Sequence, residues 1–280
     1  MSPASFTTKA LSVLTAFALA SSALVAAAPA QALANARNAT GSSATSDAMV
    51  RLQIGQTACS ATMITSSWAL TARHCIPESG NAGAAVGSST LSPLQPVAQA
   101  IIHPTADLAL VQLPNQINAS TVDLYGAHVQ PGERGQASGW GGYSALGQQV
   151  VQAADVQVQR RVTNVPSPDR GAVMLEGTVA NGRLMPGDSG GPLYINGQLA
   201  GVLSMSTADE HNASQAGTVG WYIPVAEHAD WIARHTGKPI PPIVSAPAPL
   251  VDATAHPTFI PAPQLHAPTS SDNVWAVSSF

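Results

Sequence analysis

The sequence predicts an all-β domain closed by one short helix, and three observations carry this. Between about residues 48 and 225, short runs of β-branched and apolar residues recur, each broken by Gly, Pro, Asn or Ser. Within Gly191–Met205 the pair Asn196-Gly197 is a two-residue hairpin signal. A helical pattern comes at the end, Val225–His235, where Ala229, Trp231 and Ile232 form an apolar face and Gly237 is the terminator.

Taken in order, residues 1–34 read as a secretory signal. Lys9 is the lone positive charge, Leu11–Ala28 is apolar and alanine-rich, and both Ala30-Gln31-Ala32 and Ala32-Leu33-Ala34 fit the small-x-small pattern of a cleavage site. An exported protein is expected, secreted or held in the cell envelope, and outside the membrane once the signal is removed. Residues 35–47 are polar and expected to be flexible. Residues 48–237 form the domain, long enough for an adequate core, with strands expected at Met49–Ile54, Val150–Val162 and on both sides of Asn196-Gly197. Residues 238–280 hold nine prolines between Pro239 and Pro268 and almost no charge, so this tail is expected to stay disordered. It is either a spacer in the cell envelope or an untethered end. With a formal net charge of −4 and 9% charged residues, nothing suggests nucleic acid or anionic membrane surfaces as partners, and neither is expected.

The chemistry concentrates in Gly187-Asp188-Ser189-Gly190-Gly191-Pro192. Glycines on both sides of Ser189 let the backbone turn tightly, so that the amides of Gly187 and Ser189 point together at a developing oxyanion. A serine hydroxyl is a poor nucleophile alone and needs a base and a group to orient that base. His74, at the end of an apolar run, is the candidate base. Asp107, which opens the run Leu108-Ala109-Leu110-Val111, is the candidate orienting acid. The two cysteines of an exported chain, Cys59 and Cys75, fit one disulfide, closing a loop of about 16 residues worth roughly 3 kcal/mol in the chain-entropy model. Such a bridge also fixes the neighbouring His74. His103, before Pro104, reads as a turn residue, and the other histidines have no metal-ligand spacing. Neither metal nor cofactor is expected.

Seven segments resemble, in the same order, those of the trypsin-like (chymotrypsin-fold) serine proteases. They are Cys59–Ile64, Thr71-Ala72-Arg73-His74-Cys75, Asp107–Leu110, Ser138-Gly139-Trp140-Gly141, Gly187–Pro192, Gly201–Ser204 and Gly220-Trp221-Tyr222. The resemblance runs from about Met49 to Trp231 and implies two six-stranded antiparallel β-barrels with a His74–Asp107–Ser189 triad in the crevice between them. It also implies that Ser204 supports Asp107, that Ser204-Met205-Ser206 bind substrate backbone, and that Gly220 walls the specificity pocket with Arg183 at its base. Several positions depart from the family pattern. The family's Cys-Gly-Gly-Ser turn reads Cys59-Ser60-Ala61-Thr62, Ser206 replaces a glycine, and there is no Ile-Val-Gly-Gly start. The spacings 107−74 = 33 and 189−107 = 82 are short, which implies trimmed loops.

In the family the residue matching Asp188 pairs with a freshly cut amino terminus. Here the expected cation is either the terminus left by cleavage after Arg37 or an internal arginine, Arg183 being nearest in sequence. The resemblance implies a secreted serine endopeptidase acting on protein or peptide substrates. An inactive binding or adhesion protein on the same scaffold, and an esterase using the same triad, are the alternatives.

Overall fold

The structure, a computed structural model, describes residues 33, 36–39, 43–78, 80–141, 150–165, 172–180, 182–207 and 218–258. Most of the expected signal segment and the tail beyond residue 258 therefore lie outside the described residues.

After a two-residue strand β1 (Arg37–Asn38) and a single helical turn α1 (Ala44–Asp47), seven strands form one curled sheet. They are β2 (Met49–Ile54), β3 (Thr57–Met63), β4 (Trp68–Thr71), β5 (Ala82–Val86), β6 (Gln95–Pro96), β7 (Gln99–Ile102) and β8 (Ala109–Gln112), in the order β6-β5-β2-β3-β4-β8-β7. β2 shows why such short runs become strands: Val50, Leu52 and Ile54 are buried while Arg51 and Gln53 on the opposite face are half-buried. Edge strands β6 and β7 are two parts of one bent stretch. Pro96 interrupts it, Val97 N–H reaches Ala82 O at 3.2 Å beside β5, and Ala98 N–H reaches Gln112 O at 2.8 Å on β8. That bend curls the sheet towards a barrel.

The second sheet is a closed barrel of six strands: β9 (Arg134–Gly139), β10 (Gln152–Thr163), β11 (Met174–Val179), β12 (Pro192–Ile195), β13 (Gln198–Ser206) and β14 (Val219–Pro224). They run β10-β11-β14-β13-β12-β9, and β9 pairs back onto β10. Asn196 and Gly197 take φ of 50° and 76° at the β12–β13 hairpin, the positive-φ pair that such a turn requires. Val225–His228 form a 3₁₀ turn leading into helix α2 (Ala229–Thr236), which buries Ala229, Trp231 and Ile232 and stops at Gly237 with φ 71°. Leu193, Val156, Leu175, Leu184 and Tyr222 fill the second barrel, while a larger cluster fills the first and continues beneath its neighbour. Among the described residues no helix is long and apolar enough to cross a membrane.

The ends of the domain differ from the sequence expectation. Residues 238–258 lie against the domain rather than hanging free. β15 (Leu250–Asp252) pairs in parallel with β10, Val244 N–H bonds Gly126 O, and Thr258 Oγ1 donates to Glu176 Oε2 at 2.6 Å. The proline-rich composition misled because proline is tolerated at an edge, where an extended chain needs few apolar contacts once its carbonyls find donors. Gln130 Nε2 bonds Ala246 O, and the Arg161 guanidinium bonds Ala248 O. Likewise, within the expected flexible segment 35–47, β1 pairs with β10 and Arg37 forms an ion pair with Asp155 at 2.7 Å.

Candidate active site

Sheet register brings the first two candidate residues together. β4 and β8 are neighbours with Thr71 opposite Ala109, so His74, three residues past Thr71, and Asp107, two before Ala109, emerge at the same end of the pair. His74 sits on the 3₁₀ turn Arg73–Cys75, and the Cys59–Cys75 disulfide ties that turn to β3. Asp107 is buried, with a side chain 6% exposed, whereas the His74 side chain is 45% exposed. One Asp107 oxygen, Oδ1, accepts the His74 backbone N–H at 2.9 Å; the other, Oδ2, lies 2.8 Å from His74 Nδ1 and accepts the Ser204 hydroxyl at 2.6 Å. Burial acts to raise the Asp107 pKa, but the hydrogen bonds and charge of His74 and the Ser204 hydroxyl together hold it below the usual carboxylate value. An ionised carboxylate only accepts, so Nδ1 carries the proton and the Nε2 lone pair is left as a base.

His103 supports this pair from behind. Its Nδ1 accepts the N–H groups of Thr105 at 3.2 Å and Ala106 at 2.9 Å, fixing the loop that delivers Asp107. The ring packs edge-on against His228 and Trp231, and burial lowers its pKa, which keeps it a neutral acceptor.

Ser189 lies on a turn held from both sheets. Ser60 N–H on β3 bonds Ser189 O at 2.8 Å, and Gly190 N–H bonds Leu203 O on β13 at 2.8 Å. Gly190, with φ 78°, leaves no room for a side chain, because a Cβ would run into Thr71 Oγ1 and the Ser60 carbonyl. Ser60 occupies a position where the family has glycine, and its hydroxyl accepts Trp140 N–H at 2.8 Å and donates to Gly187 O at 2.9 Å. The N–H groups of Gly187 and Ser189 bond no other described residue, as an oxyanion site requires. No local signal marks the Ser60 strut. His103 was legible as a turn residue, and an acceptor ring two and three residues before two amides is the pattern that marks its loop-holding role.

Of the remaining candidates, Ser204, Met205 and Ser206 end β13, where Met205 faces Trp221 and Ser206 faces Gly220 across the pair to β14. The Cα of Gly220 is turned towards Leu184, the chain neighbour of the half-buried Arg183. Among the described residues, Asp188 accepts backbone hydrogen bonds from Gly141 N–H at 2.7 Å and Met185 N–H at 2.8 Å. Among the described residues no arginine forms an ion pair with Asp188, so the pairing with Arg183, one of the two alternatives, is not formed. Burial pushes the Asp188 carboxyl up to about 7 against the backbone donors around it. The grouping of Cys59, His74 and Cys75 offers no metal site, since both sulfurs are committed to the disulfide.

A closed six-strand barrel beside a curled sheet, with a His–Asp pair and a glycine-flanked serine where they meet, defines a protein of the chymotrypsin-like fold class. Sequence comparison makes the assignment narrower. The family profile described as Trypsin matches residues 36–232, and the chain belongs to the trypsin family of peptidases. It is 75% identical over 279 residues to an uncharacterized peptidase of Corynebacterium glutamicum (strain R), covering 100% of both chains. It is 28% identical over 205 residues to Trypsin-3 of Salmo salar, covering 65% of this chain and 84% of that one. Among solved structures, neuropsin of mouse brain aligns with a TM-score of 0.56 and 22% identity over 69% of this chain and 95% of that one, a likeness of fold.

Proposed function

We propose that this protein is an exported serine endopeptidase that works through an acyl-enzyme. His74 Nε2 takes the Ser189 proton as Oγ attacks the peptide carbonyl, and the N–H groups of Gly187 and Ser189 receive the oxyanion. Collapse of the tetrahedral intermediate expels the amine, which takes its proton from His74, and water repeats the steps to release the acid. Asp107 holds the required tautomer throughout. The observation that carries this reading is the Asp107 carboxylate with three donors converging on it, two from His74 and one from Ser204, since nothing structural demands a buried carboxylate aimed at a half-exposed imidazole. Family membership implies a protein substrate.

The test is mass-spectrometric profiling of a peptide library digested by the full-length protein and by Ser189→Ala. New cleavage products with the first and none with the second support an endopeptidase. Ester turnover without peptide cleavage points to an esterase, and neither activity points to a binding protein on this scaffold.

A further inference from the structure

The oxyanion site needs the N–H groups of Gly187 and Ser189 to face one point, and these belong to peptide planes on either side of the Gly187–Asp188 plane. The angle between them is therefore set by how that middle plane is held. Gly187 has φ 98°, a conformation that side chains rarely permit, and the freedom that allows the turn also lets its plane rotate. Both ends of the plane are tied. Asp188 N–H bonds Met185 O at 3.0 Å, and Gly187 O accepts the Ser60 hydroxyl at 2.9 Å. The first tie is local to the turn, whereas the second comes from β3 of the other sheet, 127 positions away.

The Ser60 hydroxyl has one hydrogen, and its direction is fixed. Trp140 N–H donates to the oxygen at 2.8 Å and occupies a lone pair, so the hydrogen is left for Gly187 O. Ser60 is fully buried, and no bulk water competes for either bond. Its backbone is held as well: the N–H bonds Ser189 O at 2.8 Å, and the carbonyl accepts the Thr71 hydroxyl at 2.8 Å. In the next plane along the turn, Asp188 O is taken by Gly191 N–H at 2.9 Å. Ser60 thus grips the turn twice, at the carbonyl of the nucleophile and between the two oxyanion amides. A glycine here, the family's residue, could make the first of these bonds but has no group for the second.

We propose that Ser60 is a positioning residue for the oxyanion: its hydroxyl, oriented by Trp140 N–H, locks the Gly187–Asp188 peptide so that the Gly187 and Ser189 amides stay aimed at one point. It touches no substrate. Without the hydroxyl, Gly187 O loses its donor and the plane gains a competing orientation in which the Gly187 N–H turns away. An oxyanion develops only in the transition state, so the loss falls on kcat rather than KM. The inference rests on the serine-peptidase reading for its effect on rate, and on the hydrogen bonds alone for the shape of the turn.

The test compares wild type with Ser60→Ala and Ser60→Gly by two measurements. On the best peptide found by library profiling, kcat of both variants should fall about 10- to 100-fold with KM within about twofold, less than the roughly 10²–10³-fold that outright loss of an oxyanion donor costs. Hydrogen exchange followed by mass spectrometry should show residues 185–191 exchanging at least about tenfold faster in both variants, with β10 unchanged. A kcat loss below about threefold, a loss confined to KM, or unchanged exchange at the turn overturns the proposal. Loss of cooperative melting in both variants also overturns it, since Ser60 would then hold the fold rather than the turn. If exchange rises at the turn while neither wild type nor variant cleaves a peptide or takes a fluorophosphonate, the locking stands and the peptidase reading falls.

Discussion

Replacing Asp107 by asparagine tests the site through its best-defined group. The carboxylate accepts three hydrogen bonds, from His74 N–H and Nδ1–H and from the Ser204 hydroxyl. Asparagine has one acceptor oxygen and one donor amine. With its oxygen towards His74 Nδ1, its amine faces the His74 backbone N–H, donor against donor, at a cost of about 1–3 kcal/mol for the buried clash. The opposite rotamer keeps the backbone bond, and the Ser204 hydroxyl can rotate to accept from the amine. Nδ1 must then give up its proton, which moves to Nε2, and the imidazole can no longer accept the proton of Ser189. A base lost through the wrong tautomer is worth about 10³–10⁴ in rate, or about 4–5.5 kcal/mol. The assay is kcat/KM on the best peptide found by library profiling, with melting measured alongside. Because the folded-state pKa of Asp107 lies below its ordinary value near 3.8, its stabilisation is full above that value and is lost as pH falls through the folded pKa. Wild type and variant should therefore converge in stability in acid. A loss of kcat below tenfold, or a loss confined to KM, would refute the role of Asp107.

Ser189→Ala and His74→Ala should each remove most turnover, and the double variant should lose no more than either, as measured by kcat; additive losses would break the unit apart. Truncation after Pro242 deletes the Val244–Gly126, Ser245–His128 and Thr258–Glu176 hydrogen bonds and the β15 pairing. At about 0.5–1.5 kcal/mol per net bond it should lower stability by at least about 2 kcal/mol, read by urea titration. Burial first, and then the neighbouring His103, push His228 down to about 4. A histidine lowered in this way takes up its proton in the unfolded chain first, so stability should fall as pH drops from about 6.5 to 4, by on the order of 2 to 3 kcal/mol, and His228→Gln should flatten that curve.

What the sequence made legible is what short-range chemistry determines. The Asn196-Gly197 hairpin and the Gly237 helix stop follow from positive φ, and β2 follows from alternation. The three groups of the candidate site could be named because nucleophile, base and acid each carry a local signature. The rest was hidden for physical reasons. The Ser60 strut joins residues 80 and 127 positions apart across two sheets, and Asp188 takes a donor from Gly141, 47 positions away, which leaves no local trace. The docked tail was misread because composition reports the apolar area available, not the hydrogen bonds that edge strand β10 and Glu176 hold out to it.

The central claim is that His74 activates Ser189, and an active-site fluorophosphonate tests it most directly. Treated protein, digested and analysed by mass spectrometry, should carry a single adduct on the peptide containing Ser189, and His74→Ala should form that adduct at least 100-fold more slowly. An adduct on another residue, or labelling of Ser189 at the same rate without His74, would contradict the account.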